Sequence, residues 1–443
     1  MKRIALSDHF GYGRLLRFSL PSIIMIVFTS LYTIVDGIFV SNLVGSTAFA
    51  ALNLIYPAVG ILGAFGFMIG SGGAALVSKT LGEKEHHKAN EYFTMLIVFE
   101  IILGLVVGTV GALTLRPVAL FLGATEELMP DCLKYGTILM FAQVFFFLTN
   151  SFQSFLVVAE RPKMGLAITL CAGFSNMILD YIFIAVFQMG IFGAALATAM
   201  NWVLGALVPL FFFLRRNGTP LKLIPFRWHF AKLGTACLNG SSEMVTNLSL
   251  NLVAMLYNFE LMRIARPDGV IAYGVIQYMT FVFLAIFLGY TMAVSPVVSY
   301  HYGAGNRHEL KSLLKKSLTI IAVFALSMFA IAESTSGFMA TVFVSGSKTL
   351  MEMTMRGIEI YSISFLITGF NIFVSGFFTA LNNGPVSAIV SFFRTFFSQV
   401  VFILILPIWF GLNGIWSAVI VSEGVSLLVS FGFLKGLQKK YGY

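Results

Sequence analysis

Charge is scarce in this chain of 443 residues: Asp, Glu, Lys and Arg together make up only 11% of it. Hydrophobic residues make up 58% and the mean hydropathy is +0.90. A soluble core of that size would need a far more polar shell, so the solvent is lipid. There are only three cysteines, Cys132, Cys171 and Cys237. Their spacing fits neither a metal knuckle nor a redox pair, and they read as apolar filler. A Walker motif is missing, so nucleotide hydrolysis is excluded and any energy source must be an ion gradient. The apolar runs lack period-2 alternation, which excludes a membrane β-barrel. A cleavable signal is also missing. The first apolar segment is too long for a signal h-region and has no small-residue cleavage site, so it reads as an uncleaved anchor.

What the chain does have is a repeat. At an offset of 221 residues, Gly82, Gly190 and Gly193 fall on Gly303, Gly411 and Gly414, and Leu76-Val77-Ser78 falls on Val297-Val298-Ser299. Each copy holds six apolar stretches of about 20 residues or more, enough to cross a bilayer. The spans are expected at about 15–39, 48–76, 92–115, 132–158, 164–187, 191–214, 233–260, 271–299, 317–343, 354–381, 386–409 and 412–434. The expected fold is therefore an all-α membrane protein, with 12 transmembrane helices in two pseudo-symmetric six-helix lobes. Residues 1–214 form the N-lobe, 215–232 a linker with Pro220 and Pro225, and 233–443 the C-lobe. Duplicated membrane domains of this kind are typical of transporters whose halves rock about a central site. Of 28 Lys and Arg residues, 21 fall on the side of the N-terminus, the linker and the C-terminal tail. The positive-inside rule then places both termini and the linker in the cytoplasm. The net charge of +9 is thus a topology signal and implies no nucleic acid.

An acid within a span costs about 2.5–3.5 kcal/mol at a helix centre, so each is a functional candidate. Asp36 lies in the outer part of the first span. Asp180 lies in the fifth, with Asn176 four residues earlier on the same face. Thr198 follows the Gly190/Gly193 turn, and Asn150 lies in the fourth span with Gln143 two turns earlier. Together they supply the oxygen-rich groups that a proton or a hard cation uses. Asn150 and Asn176 also fit a role as glue between helices. Thr198 also fits a hydroxyl bonded back to its own helix, and Pro21 an ordinary proline near a helix start.

The spacing from Pro21 to Asp36, with Asn150, Asn176-x-x-x-Asp180 and Thr198, resembles the multidrug and toxic compound extrusion (MATE) family. Leu31 to Gly82 resembles its bacterial MepA-type branch in particular, and the likeness in length and layout runs the whole chain. The resemblance implies that Asp36, Asn176, Asp180 and Thr198 form an N-lobe cation site, for H⁺ or possible Na⁺, and that α-helix 1 flexes at Pro21. It also implies an outward-open, V-shaped pair of lobes exporting lipophilic organic cations against inward H⁺ or Na⁺. Neither a cofactor nor an enzymatic activity is expected. The expected setting is the bacterial inner membrane, with cationic amphipathic drugs and membrane lipid as partners and a monomeric chain.

In the second lobe, Glu243, Thr246, Asn247, Asn251 and Asn258 recur at helical spacing and make one wet face of the seventh span. Tyr361, Ser364, Thr368, Asn371 and Ser375 do the same in the tenth, and Tyr273, Gln277 and Thr280 in the eighth. Such faces must meet a cavity or another helix. The expected cargo cavity therefore includes Asn150, Gln143, Glu243, Asn247, Asn251, Gln277 and Asn371. Some family members carry an acid in the tenth span where Asn371 stands here. Glu100, Glu260, Glu333 and Glu359 read as acids near span ends, able to snorkel. Glu423 and Arg394 are a possible pair. The 46 phenylalanines and 20 methionines suit deformable binding of flat cations but equally suit lipid contact. Two rival readings are a lipid-precursor flippase of related fold and an intramembrane prenyltransferase. The flippase should show a cationic cavity, and the enzyme needs two facing acidic clusters where this chain has one.

Overall fold

The computed structural model of the chain describes residues 4–215, 217–344 and 347–443. Lys2, Arg3 and Arg216, which contribute to the charge bias, lie outside the described residues. Apolar runs too long for a soluble helix become α1 (Tyr12–Leu43), α2 (Ser46–Gly82) and α3 (His86–Phe121). α4 is a bent pair, Met129–Phe141 and Gln143–Val158, with 52° between its halves. α5 runs over Pro162–Asp180 and continues in wider π-type turns over Tyr181–Val186, and α6 spans Gly190–Leu214. In the second lobe, the helical stretch Phe230–Gly303 breaks at Arg266 into α7 (230–265) and α8 (267–303). α9 is Arg307–Val344, and α10 is the bent pair Lys348–Ser362 and Phe365–Ala380, at 47°. The stretch from Gly384 to Tyr441 breaks at Gly411 into α11 (384–410) and α12 (412–441). Twelve helices result among the described residues. Eight stretches are long and apolar enough to span a membrane, the two bent pairs raise this to ten, and two of the ten are each two helices across a break.

The repeat is visible in the backbone. Gly190 and Gly411, which correspond at the repeat offset, both take positive φ (58° and 54°) where one helix ends and the next begins. Only glycine adopts that conformation without steric cost. The bends of α4 and α10, at Ala142 and around Ile363, also correspond at that offset.

Several boundaries differ from the sequence expectation. A ten-residue loop was expected between α7 and α8. Instead the helix is interrupted at one residue, Arg266 (φ 57°, ψ −159°), because the ring of Pro267 disfavours the α-conformation in the residue before it. α7 begins at Phe230, inside the expected linker, and α9 begins ten residues before its apolar stretch. Helices continue past the point where hydropathy falls, since the backbone hydrogen bonds do not depend on the bilayer.

The lobes meet at the end that carries both termini, and glycine makes the meeting possible. A Cβ on Gly82 would lie 2.0 Å from the Tyr300 carbonyl oxygen, and one on Gly303 would lie 2.0 Å from that of Lys79. These contacts are mutual under the repeat offset, as in a two-fold interface where each surface meets its own copy. Deeper along the seam, Gly72 meets Ala236 and Gly240 meets Met68, while Gly289 of α8 lies against Ser22 and Ile23, beside Pro21. α1 runs unbroken through that proline. Ser299 Oγ lies 2.9 Å from the Ala75 carbonyl oxygen across the seam. The segment before α1 adds a strap. The Phe10 amide donates to Glu309 Oε1 (2.9 Å), His9 bonds the other oxygen (2.6 Å), and Lys316 donates to the Phe10 carbonyl. One buried apolar core runs through both lobes at this end and, in the C-lobe, on to the far end. A second, around Tyr135, Ile184 and Trp202, belongs to the N-lobe alone at the opposite end.

Candidate ion and cargo site

In the N-lobe, α1 and α5 bring Asp36 and Asp180 together so that their carboxyl groups adjoin. Asp180 is fully buried, and neither of its oxygens has a hydrogen-bond donor among the described residues. Asp36 Oδ1 also lacks one. Asn176, one turn before Asp180 and 1% exposed, has an unpartnered Nδ2. Buried polar groups are normally paired, so a cluster of open acceptors marks a place that a proton or a cation fills. The described residues contain no group of three or more His, Cys, Asp or Glu side chains able to hold a metal ion. A sodium ion would therefore use the aspartates with amide or hydroxyl oxygens, as cargo and not as a resident metal. Thr198 is buried on α6, three residues before Asn201 and so on the same side of the helix.

Beside the acid pair lies a cavity of about 300 Å³. Its wall includes Tyr32, Tyr56, Asn150, Gln153, Asn201 and Trp202 from the N-lobe, and Asn247 and Asn251 from α7. Tyr32 is hydrogen-bonded to Asn201 and feels the charge of Asp36, as does Tyr56. Both tyrosines thus stand in the cavity wall within reach of the Asp36 charge. Tyr135, buried with an unpartnered hydroxyl, feels both acids. These three tyrosines, Gln153 and Asn201 were not singled out by sequence reasoning. A buried tyrosine in a membrane helix looks like any other apolar position until its neighbour is known.

The other expected cavity residues divide. Asn150, Asn247 and Asn251 line the central cavity. Gln143 instead packs between helices, donating Nε2 to the Val59 carbonyl (3.3 Å). Gln277 donates to the Tyr273 hydroxyl (2.8 Å) and lines a smaller C-lobe chamber of about 80 Å³ with Tyr361, Thr368, Arg394 and Glu423. The polar stripes of α8 and α10 converge there. Asn371 is occupied as a connector: its Nδ2 donates to Glu423 Oε2 (2.7 Å) and its Oδ1 accepts from Ser430 (2.8 Å). Glu243 is absent from both cavity walls, though the charge of Arg394 reaches it.

Arg394 and Glu423 do pair, at 3.2 Å, with side chains 9% and 4% exposed. Removing one partner would strand a buried charge, at a cost of about 3–5 kcal/mol. Arg394→Leu is therefore expected to lower the unfolding temperature in detergent sharply, and adding Glu423→Leu should restore most of it. An unchanged melting curve for Arg394→Leu would show that the pair contributes nothing. The acids expected near span ends also differ. Glu260 does reach Arg263 (2.6 Å) and Glu333 accepts from Ser362 (2.6 Å), but Glu100 is 0% exposed in the N-lobe core and cannot snorkel.

The family profile MatE matches this chain twice, over residues 21–182 and 244–405. The chain is 25% identical over 416 residues to the multidrug export protein MepA of Staphylococcus saprophyticus, covering 91% of this chain and 87% of that protein. It is likewise 25% identical over 435 residues to MepA of Staphylococcus haemolyticus, covering 95% and 92%. Its fold matches the outward-facing conformation of a multidrug resistance MATE family transporter of the MOP superfamily. The TM-score is 0.92 at 21% identity, over 98% of this chain and 97% of the other. The doubled family match coincides with the two lobes joined at the glycine seam. The chain belongs to the MatE family and is a multi-pass membrane transporter, not an enzyme.

Proposed function

We propose that this transporter exports lipophilic organic cations in exchange for inward H⁺ or Na⁺, with Asp36 and Asp180 as the coupling pair. The observation that carries this reading is the adjoining carboxyls, whose oxygens lack donors among the described residues, near the tyrosines of the central cavity wall. The two relatives are named as multidrug export proteins, which agrees with a broad cargo range. A cavity of about 300 Å³ with aromatic walls suits small, flat ligands. No Lys or Arg is among its described lining residues, which disfavours the flippase reading, because a pyrophosphate cargo would need them.

In this scheme the charged pair attracts a cation into the cavity from the cytoplasmic side. Loading of the coupling ion from outside neutralises the pair, α1 bends at Pro21, and the cargo leaves. The chain works as a monomer in the bacterial cytoplasmic membrane, with both termini inside. Exchange of one ion for one monovalent cation is electroneutral. A 2:1 exchange moves charge and gains about 2.3 kcal/mol per 100 mV.

The test is uphill transport of a cationic dye in proteoliposomes under an imposed pH or Na⁺ gradient. Transport should follow one of the two gradients and collapse when it is dissipated. Dye movement indifferent to both would overturn the antiport reading. Labelling of a cysteine at Gly218 by an impermeant reagent from outside intact cells would overturn the orientation.

A further inference from the structure

We propose that a cleft at the foot of α1 binds the phosphate of an anionic phospholipid, with Arg17, Arg161 and Lys163 supplying the positive charge. The cleft measures about 400 Å³ and shares no lining residue with the central cavity. It lies where three helices start or end on the side of both termini. Arg17 and Pro21 come from the start of α1, and Glu160, Arg161 and Lys163 from the turn into α5. Phe212 comes from the last turn of α6. This is the level at which the headgroups of a bilayer meet the ends of its spanning helices. The antiport reading assigns no ligand here, and the site stands without it.

Charge selects the ligand. The wall of the cleft holds three cations and one carboxylate. That carboxylate, Glu160, already accepts the Leu6 amide (2.9 Å). Arg161 and Lys163 are exposed and form no ion pair among the described residues. A phosphodiester matches such a set, since a guanidinium offers it paired donors and an ammonium a compact charge. The positive-inside rule alone does not put the cations at this place. The turn between α10 and α11 in the second lobe has a similar backbone, with φ 56° at Asn382 against 58° at Glu160. Yet that turn reads Asn382-Asn383-Gly384-Pro385, without a cation. It is engaged in packing: Asn239 donates to Asn382 (2.7 Å) and accepts the Gly384 amide (3.1 Å). The basic run Arg161-Pro162-Lys163 is thus particular to the N-lobe.

The apolar surfaces around the cleft select a lipid over a free phosphate. Leu16, Leu20 and Ile24, spaced by four, expose one apolar stripe of α1 that begins beside Arg17. Phe211 and Leu214 are exposed on α6, on either side of Phe212. An acyl chain would lie on these surfaces while its headgroup sits among the cations. Basic clefts between spans on the cytoplasmic side suit anionic headgroups, because that leaflet carries the anionic lipid. Pro21 lines the same cleft one turn on from Arg17, so the lipid would touch the point where the antiport scheme bends α1.

The test is a titration of the full chain in detergent with phosphatidylglycerol, phosphatidylcholine and inorganic phosphate, followed by native mass spectrometry. Phosphatidylglycerol should bind in preference to phosphatidylcholine, and excess inorganic phosphate should not displace it. A cation beside an anionic headgroup contributes about fivefold in affinity, so Arg161→Ala with Lys163→Ala should weaken binding about 25-fold. Arg161→Lys with Lys163→Arg keeps the charge and should retain the lipid. Lys435→Ala with Lys439→Ala removes the same charge from exposed positions in the C-terminal tail. This second pair should change binding by less than about twofold, because its charges are remote from the cleft. All four positions are exposed, so the unfolding temperature without added lipid should not move. Equal binding of the two lipids, displacement by phosphate, or equal losses in the two alanine pairs overturns the proposal. Unchanged binding in the Arg161 and Lys163 alanine variant overturns it as well. Neither ion coupling nor membrane orientation enters a measurement in detergent, so failure of the antiport reading would leave this result intact.

Discussion

Replacing either Asp36 or Asp180 by asparagine is expected to reduce gradient-driven efflux to the level of protein-free vesicles, with expression and fold retained. The two carboxyls adjoin in a buried site where their oxygens lack donors. Asparagine keeps the size and shape of aspartate and adds an N–H that its neighbour can accept. The variant should therefore be as stable as the original or more so, while losing the group that gains and releases charge. Because the acids adjoin, they titrate as a pair, and removing one changes what the other does. Each single variant should then be nearly as defective as the double. The measurement is dye accumulation under the gradient that drives the unmodified chain. Wild-type rates in either variant would move the coupling site elsewhere in the molecule.

The second large effect is conformational. A methyl group placed on Gly240 would lie 1.8 Å from the Met68 carbonyl oxygen and 2.6 Å from its carbon, both rigid backbone. No side-chain rotation relieves that contact, so Gly240→Ala must push α7 away from α2. Overpacking of this kind costs about 1–3 kcal/mol. That is roughly a 5- to 150-fold shift in a two-state equilibrium. The shift disfavours the state closed at the terminal end. Spin labels at the exposed positions Lys84 and Asn306, in loops on either side of the seam, should report a longer distance in the variant. An unchanged distance distribution would mean that the helices do not approach as closely as the glycines allow. Gly72→Ala should act in the same direction, since its Cβ would lie 2.0 Å from the Ala236 carbonyl oxygen.

Much of this protein was legible in its sequence. The glycine correspondences at one offset announced two copies of a six-helix unit, and those glycines proved to be structural. Gly82 and Gly303 make the mutual close approach, and Gly190 and Gly411 make the positive-φ turns. Scarce charge and long apolar runs determined that the solvent is lipid and the secondary structure helical, because lipid leaves no other partner for backbone polar groups. Spacing of four residues placed Asn176 and Asp180 on one face. From the periodic polar stripes of α7, α8 and α10, Asn247, Asn251, Tyr273, Gln277 and Tyr361 line cavities in the fold.

Only the tertiary structure decided what faces those groups. Helical spacing reveals which residues share a face, but the facing helix is distant in sequence. The direct adjacency of the Asp36 and Asp180 carboxyls, which resemblance alone had grouped in one site, depends on it, as do the connector role of Asn371 and the packing of Gln143 against Val59. Glu100 is the sharpest case. Hydropathy gave it no reliable depth, and it was read as an acid able to snorkel. In the fold it is fully buried, with its carboxyl in contact with Ser151, which packs against Gly70 of α2. The bends at Ala142 and Ile363 belong to the same class, since neither site carries a proline or glycine to signal a break. Sequence periodicity is a property of one helix, whereas burial, pairing and bending are set by the helices packed around it.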